Sequence, residues 1–153
     1  MRKAGTTGCY GAKIGRKIDT CRKVIEYFRE AMIAYRQEKA DIALDDALFL
    51  ADAGRYNLAA NRLYYALYYA ASALLLSKGI STKRHSGLIT QMHLNFVKTG
   101  ILTVDEGSLF KVMFELRHED DYEDFIDVER ADIEEYIPQV KELVGKLKNL
   151  VEK

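Results

Sequence analysis

"NRLYYALYYAASALLLSKGI", residues 61–80, places four tyrosines within six positions and follows them with an uncharged run of alanine and leucine. At about 100° per residue Tyr64, Tyr65, Tyr68 and Tyr69 fall near 0°, 100°, 40° and 140°, so they share one broad face of a helix. Ala66, Leu67, Ala70, Ala73 and Leu74 cover the other side. A helix that is apolar nearly all round is enclosed by neighbours or by lipid. The uncharged stretch from Leu63 to Ser77 is fifteen residues long, short of the roughly twenty that cross a bilayer. The segment therefore reads as the central helix of a bundle, with no membrane span.

The rest of the chain extends this pattern. Of 153 residues 48% are apolar and one is proline, which fits one mostly helical domain better than a hairpin-rich β protein. Residues 1–18, opening with the glycine-rich "MRKAGTTGCYGAKIG", read as a flexible basic arm, and residues 19–153 as one bundle domain. From Asp19 helical spacing persists to Gly54, as one long helix or as two broken near Gln37. Asn57 is placed to cap the central helix, Ser86 a shorter helix closed by Gly100, and Thr103 the helix beyond it. Gly54 and Gly79 suit the left-handed residue past a helix end. The last helix carries acids first and lysines last, as the helix dipole prefers, with Pro138 inside it predicting a kink. The expected fold is all-α, an antiparallel up-and-down bundle of four to five helices.

Charge is balanced overall at 23 basic and 23 acidic residues. Residues 1–31 nevertheless hold eight basic side chains against three acidic ones, and most of the acidic excess follows Asp105. Cys9 and Cys21 do not make a disulfide framework, and no histidine stands at metal-ligand spacing from them. No apolar leader is visible, so a reducing cytoplasm is expected. No phosphate loop, dinucleotide fingerprint, catalytic triad or zinc motif is present, and no cofactor or metal is called for.

Two polar clusters exceed a plain core. Buried tyrosine hydroxyls need partners, and Arg62 lies on the tyrosine side, near Tyr65 and Tyr69. In "ELRHEDDYEDF", residues 115–125, helical spacing would pair Arg117 with Asp121 and His118 with Tyr122. That pattern reads as a surface ion pair or as an anion site gripped by Arg117. His85, beside Lys83 and Arg84 at a helix start, offers a second small anion pocket, with His118 as a further candidate.

"AANRLYYALYYAASALLLSKGI", "RHSGLI", "FVKTGIL" and "LRHEDDY", in this order, resemble the HEPN superfamily, in particular its small stand-alone prokaryotic type. The resemblance covers roughly residues 40–150 and maps that type's motif onto Arg62, Tyr64, Tyr65, Arg117, Asp121 and Tyr122. It implies a homodimeric bundle, in many cases paired with a minimal nucleotidyltransferase in a toxin–antitoxin system. Some members bind nucleotides, and others are metal-independent ribonucleases using an arginine followed four to six residues later by histidine. This sequence departs from the ribonuclease motif, since no histidine follows Arg117 at that distance. RNA cleavage needs a proton acceptor near neutral pH, and a tyrosine at about pKa 10 is a poor one. The expected function is accordingly a non-catalytic nucleotide-binding or nucleotidyltransferase-partner module. The alternatives are a ribonuclease toxin and a purely structural homodimer. The related family's nucleotide-accepting tyrosine would fall at Asp124, leaving Tyr122 as a modification candidate.

Overall fold

The computed structural model describes residues 8–117 and 127–151. It contains α1 (Gly8–Asp52), α2 (Tyr56–Ser77), α3 (His85–Met92) continued by a π-helical turn (His93–Val97), α4 (Val104–Leu116) and α5 (Arg130–Val151). Among the described residues there is no strand, and no helix is long and apolar enough to cross a membrane.

The tyrosine-bearing helix is α2, and it lies at the centre, packing on α1, α3, α4 and α5. Its side chains Leu63, Leu67 and Leu74 are fully buried, each contributing about 1.5–3 kcal/mol of burial. The core face of α1 is alanine-rich, with Ala40, Ala43 and Ala47 at helical spacing and almost without solvent exposure. α2 answers with Ala59, Ala66, Ala70 and Ala73. Small side chains let helices approach closely, which suits the broad α1–α2 contact.

The helix ends follow local chemistry, with two differences from expectation. Gly54 and Gly79 have φ of 73° and 76°, and each closes a Schellman pair of hydrogen bonds. Arg55 and Gly54 donate to Leu50 and Ala51 carbonyls, and Ile80 and Gly79 to those of Leu75 and Leu76. Thr103 caps α4 as expected: its hydroxyl accepts from Glu106 N at 3.1 Å while the Glu106 carboxylate accepts from Thr103 N at 2.8 Å. The same carboxylate accepts from Lys146 Nζ at 2.9 Å, fastening α5 to the start of α4. Asn57, by contrast, does not cap α2, whose N-cap is Arg55. Its Oδ1 accepts from Val128 N at 2.8 Å and its amide donates to Asp127, so it holds the approach to α5 instead. Ser86 lies inside α3, whose N-cap is Arg84.

α1 runs unbroken through Gln37. Residues 8–18, expected as a flexible arm, form its first turns. From Ala12 to Phe28 the side chains are exposed throughout, so this part of α1 projects beyond the bundle. α5 continues as one helix through Pro138.

Candidate functional site

The site is assembled from α2, the N-terminus of α3 and the C-terminus of α4. Tyr64 is fully buried, while Arg62, Tyr65, Tyr68 and Tyr69 are half-buried. The path between α2 and α3 delivers the imidazole. Tyr64 lies fifteen residues, or about 22 Å of helix, before Gly79. The six steps from Gly79 to His85 can recover about 20 Å if the chain is extended, and Arg84 is extended, with φ −126° and ψ 152°. The connection thus returns along α2 and sets His85 beside Tyr64.

The His85 ring lies 4.7 Å from the Tyr68 ring, 5.5 Å from Tyr64, 6.0 Å from Tyr65 and 6.2 Å from Phe114, measured between centroids. The Tyr64 hydroxyl is 2.6 Å from His85 Nδ1. On the other side Arg117 Nη1 is 3.4 Å from His85 Nε2. A guanidinium can only donate. The imidazole is thus held between a guanidinium at Nε2 and a phenol oxygen at Nδ1. The Arg117 guanidinium also lies 4.9 Å from the Tyr64 ring centre and 4.4 Å from that of Phe114. Such cation–π contacts help hold the guanidinium in place.

Arg62 approaches the same cluster from the head of α2. Its guanidinium lies 4.9 Å from the centre of the Tyr65 ring and donates to Asn61 Oδ1 at 2.8 Å. Tyr65 in turn contacts Tyr64 at 5.5 Å and Tyr69 at 6.0 Å. Arg62, Tyr65, Tyr69, His85 and Arg117 are thus brought together around Tyr64 and Tyr68.

Two differences from expectation accompany this placement. Arg117 is the C-cap of α4, with φ −73° and ψ 117°, so it stands at the end of the helix rather than inside it. Asp121, Tyr122 and His118 lie outside the described residues. His85 does not join Lys83 and Arg84 in a pocket: those two are exposed, and the imidazole turns into the tyrosine cluster. Counting along residues 115–125 thus missed the imidazole that does meet Arg117. The signal was in the sequence, in "RHSGLI", but 32 residues upstream. Among the described residues no group of three histidine, cysteine or acidic side chains is placed to hold a metal ion.

Known proteins are similar to most of this chain. A HEPN domain model matches residues 33–150. A UPF0332 protein of Thermotoga maritima is 36% identical over 124 residues, covering 81% of this chain and 94% of its own. A UPF0332 protein of Archaeoglobus fulgidus is 31% identical, covering 77% and 94%. A Methanocaldococcus jannaschii protein named "Putative toxin" is 32% identical over 97 residues, covering 63% and 66%.

Proposed function

This chain belongs to the HEPN family, and on that premise we propose that it is a toxin-type HEPN module whose tyrosine cluster binds the phosphate and base of a nucleotide or of single-stranded RNA. One observation carries the reading: two arginines, Arg62 and Arg117, flank a half-open set of aromatic rings that also contains an imidazole. Guanidinium groups grip phosphate oxygens in a planar fork. Tyrosine faces such as those of Tyr65 and Tyr69 accept unstacked bases. The names of the Methanocaldococcus relatives support the toxin-type assignment. A homodimer and a minimal nucleotidyltransferase partner, both implied by the family resemblance, belong to the same reading.

A second reading is favoured by the His85–Arg117 contact. Metal-independent RNA cleavage requires a group that removes the 2′-hydroxyl proton and a cation that stabilises the phosphorane. His85 and Arg117, whose Nε2 and Nη1 lie 3.4 Å apart, are the candidates for these two roles. Cleavage breaks the phosphorus–5′-oxygen bond as the 2′-oxygen attacks, leaving a 2′,3′-cyclic phosphate and a 5′-hydroxyl.

Two assays separate the readings. Calorimetry with AMP, ATP, GTP and a short uncleavable deoxy-substituted RNA should show binding that Arg117→Ala and Arg62→Ala each weaken by about tenfold or more. Loss of heat with every ligand, in a protein that remains folded, would overturn the binding proposal. Incubation with ribo-RNA tests cleavage: product ending in cyclic phosphate that disappears in His85→Ala and Arg117→Ala establishes the second reading. Binding without such product leaves the first alone.

A further inference from the structure

The projecting part of α1 carries a pattern that the bundle does not use. Ile14, Ile18, Cys21, Ile25, Phe28 and Met32 follow one another at alternating steps of four and three residues. This is the spacing of a two-position heptad seam, narrower than the stripe of a helix that faces a globular core. Every one of these side chains is exposed, Ile25 by 64% and Phe28 by 62%. The bundle takes a different face of α1, through Ala40, Ala43 and Ala47. A lone helix with such a seam in water is poorly stabilised, because most helical stability comes from tertiary packing. The segment also lies almost wholly ahead of residue 33, where the HEPN match begins.

The flanking positions identify the occupant. Beside the seam stand Lys17, Arg22 and Arg29, with Val24 and Ala31 between them and no acidic residue. Arg29 is paired with Glu26 on its own helix, and Lys17 and Arg22 are exposed. A parallel second copy would set Lys17 against Arg22 across the seam, and an antiparallel one would oppose arginine to arginine. Like charges at these positions disfavour pairing, and opposite charges select the partner. We infer that the N-terminal half of α1 is one strand of a heteromeric coiled coil, and that its partner protein contributes an amphipathic helix with acidic residues flanking its apolar seam. Ile14 to Met32 spans about 27 Å, the length of roughly three heptads. This surface is separate from the tyrosine cluster and does not depend on the function proposed for it.

The test uses the full chain and two labelled peptides of three heptads, identical in their leucine–isoleucine seam. One has glutamate and the other lysine at all flanking positions. Fluorescence anisotropy should show the glutamate peptide binding at least about tenfold more tightly, with the difference shrinking as salt is raised. Ile18→Asp with Ile25→Asp should abolish binding while leaving the thermal unfolding of the bundle unchanged, since both side chains are outside the core. Equal affinity for the two peptides, or no binding of either, would overturn the inference. So would sedimentation of the chain alone as a dimer whose Cys21 thiols cross-link on oxidation, which would make a second copy the occupant.

Discussion

Replacing Tyr64 by phenylalanine tests the bond between Tyr64 and His85. The ring is kept, and with it the contacts to Tyr65 at 5.5 Å, Phe114 at 5.6 Å and the Arg117 guanidinium at 4.9 Å. What is lost is the hydroxyl 2.6 Å from His85 Nδ1. A hydrogen bond of this kind contributes about 1 kcal/mol net, and in a domain of this size that lowers Tm by about 3 °C. Tyr64→Ala, which also empties a fully buried aromatic site, should cost about 3–5 kcal/mol. Urea unfolding followed by circular dichroism measures both, and an unchanged m-value shows that the unfolded state is unaltered. The sharper measurement is the cycle of Tyr64→Phe with His85→Ala. Because the bond joins these two side chains, removing the hydroxyl should cost about 1 kcal/mol less when the imidazole is already gone. A coupling energy within about 0.3 kcal/mol of zero would refute the assignment of the Tyr64 hydroxyl to His85.

Three further outcomes follow from other parts of the bundle. Burial of Glu106 works to raise its carboxyl pKa, but hydrogen bonds from Lys146 and Thr103 and the nearby lysine charge win, holding it below its ordinary value of 4.5. Its contribution is therefore present above about pH 4.5 and lost as the pH falls through the lowered folded value; Glu106→Gln should cost about 1 kcal/mol at neutral pH and flatten the acid limb of a stability-against-pH curve. At Gly107 an added Cβ would lie 2.6 Å from Val97 Cγ2 and 3.0 Å from His93 Cε1. Val97 is β-branched and stiff, so Gly107→Ala should destabilise by about 1–2 kcal/mol despite alanine's better helix propensity, and a raised Tm would show that the π-helical turn yields. Asn57→Ala removes the acceptor of Val128 N and should cost about 1–2 kcal/mol, with faster amide exchange at Val128 as the local readout.

The HEPN assignment and the toxin names of relatives leave the chemistry of this chain to its own residues. Its arginine motif lacks a following histidine, yet the fold supplies an imidazole from α3 to the same guanidinium. A binding-only site and a cleaving site differ here by whether His85 reaches a 2′-hydroxyl, which the RNA assay decides. The projecting α1 seam points to a partner outside the bundle, and its basic flanks fix the sign of that partner's charge.

The residue pattern of 61–80 alone determined that α2 is central, because enclosure is written in the periodicity of a single segment. Glycine stops at 54 and 79 and the Thr103–Glu106 capping box were equally legible, since their bonds close within a few residues. The Asn57 cap failed because a competing partner lay far away: its side chain serves the chain before α5, 71 positions on. The meeting of Tyr64, His85 and Arg117 was decided only by tertiary structure. It joins positions 21 and 32 residues apart, and the path of the connection from Gly79 to His85, set by packing rather than by any short-range pattern, is what brings them together.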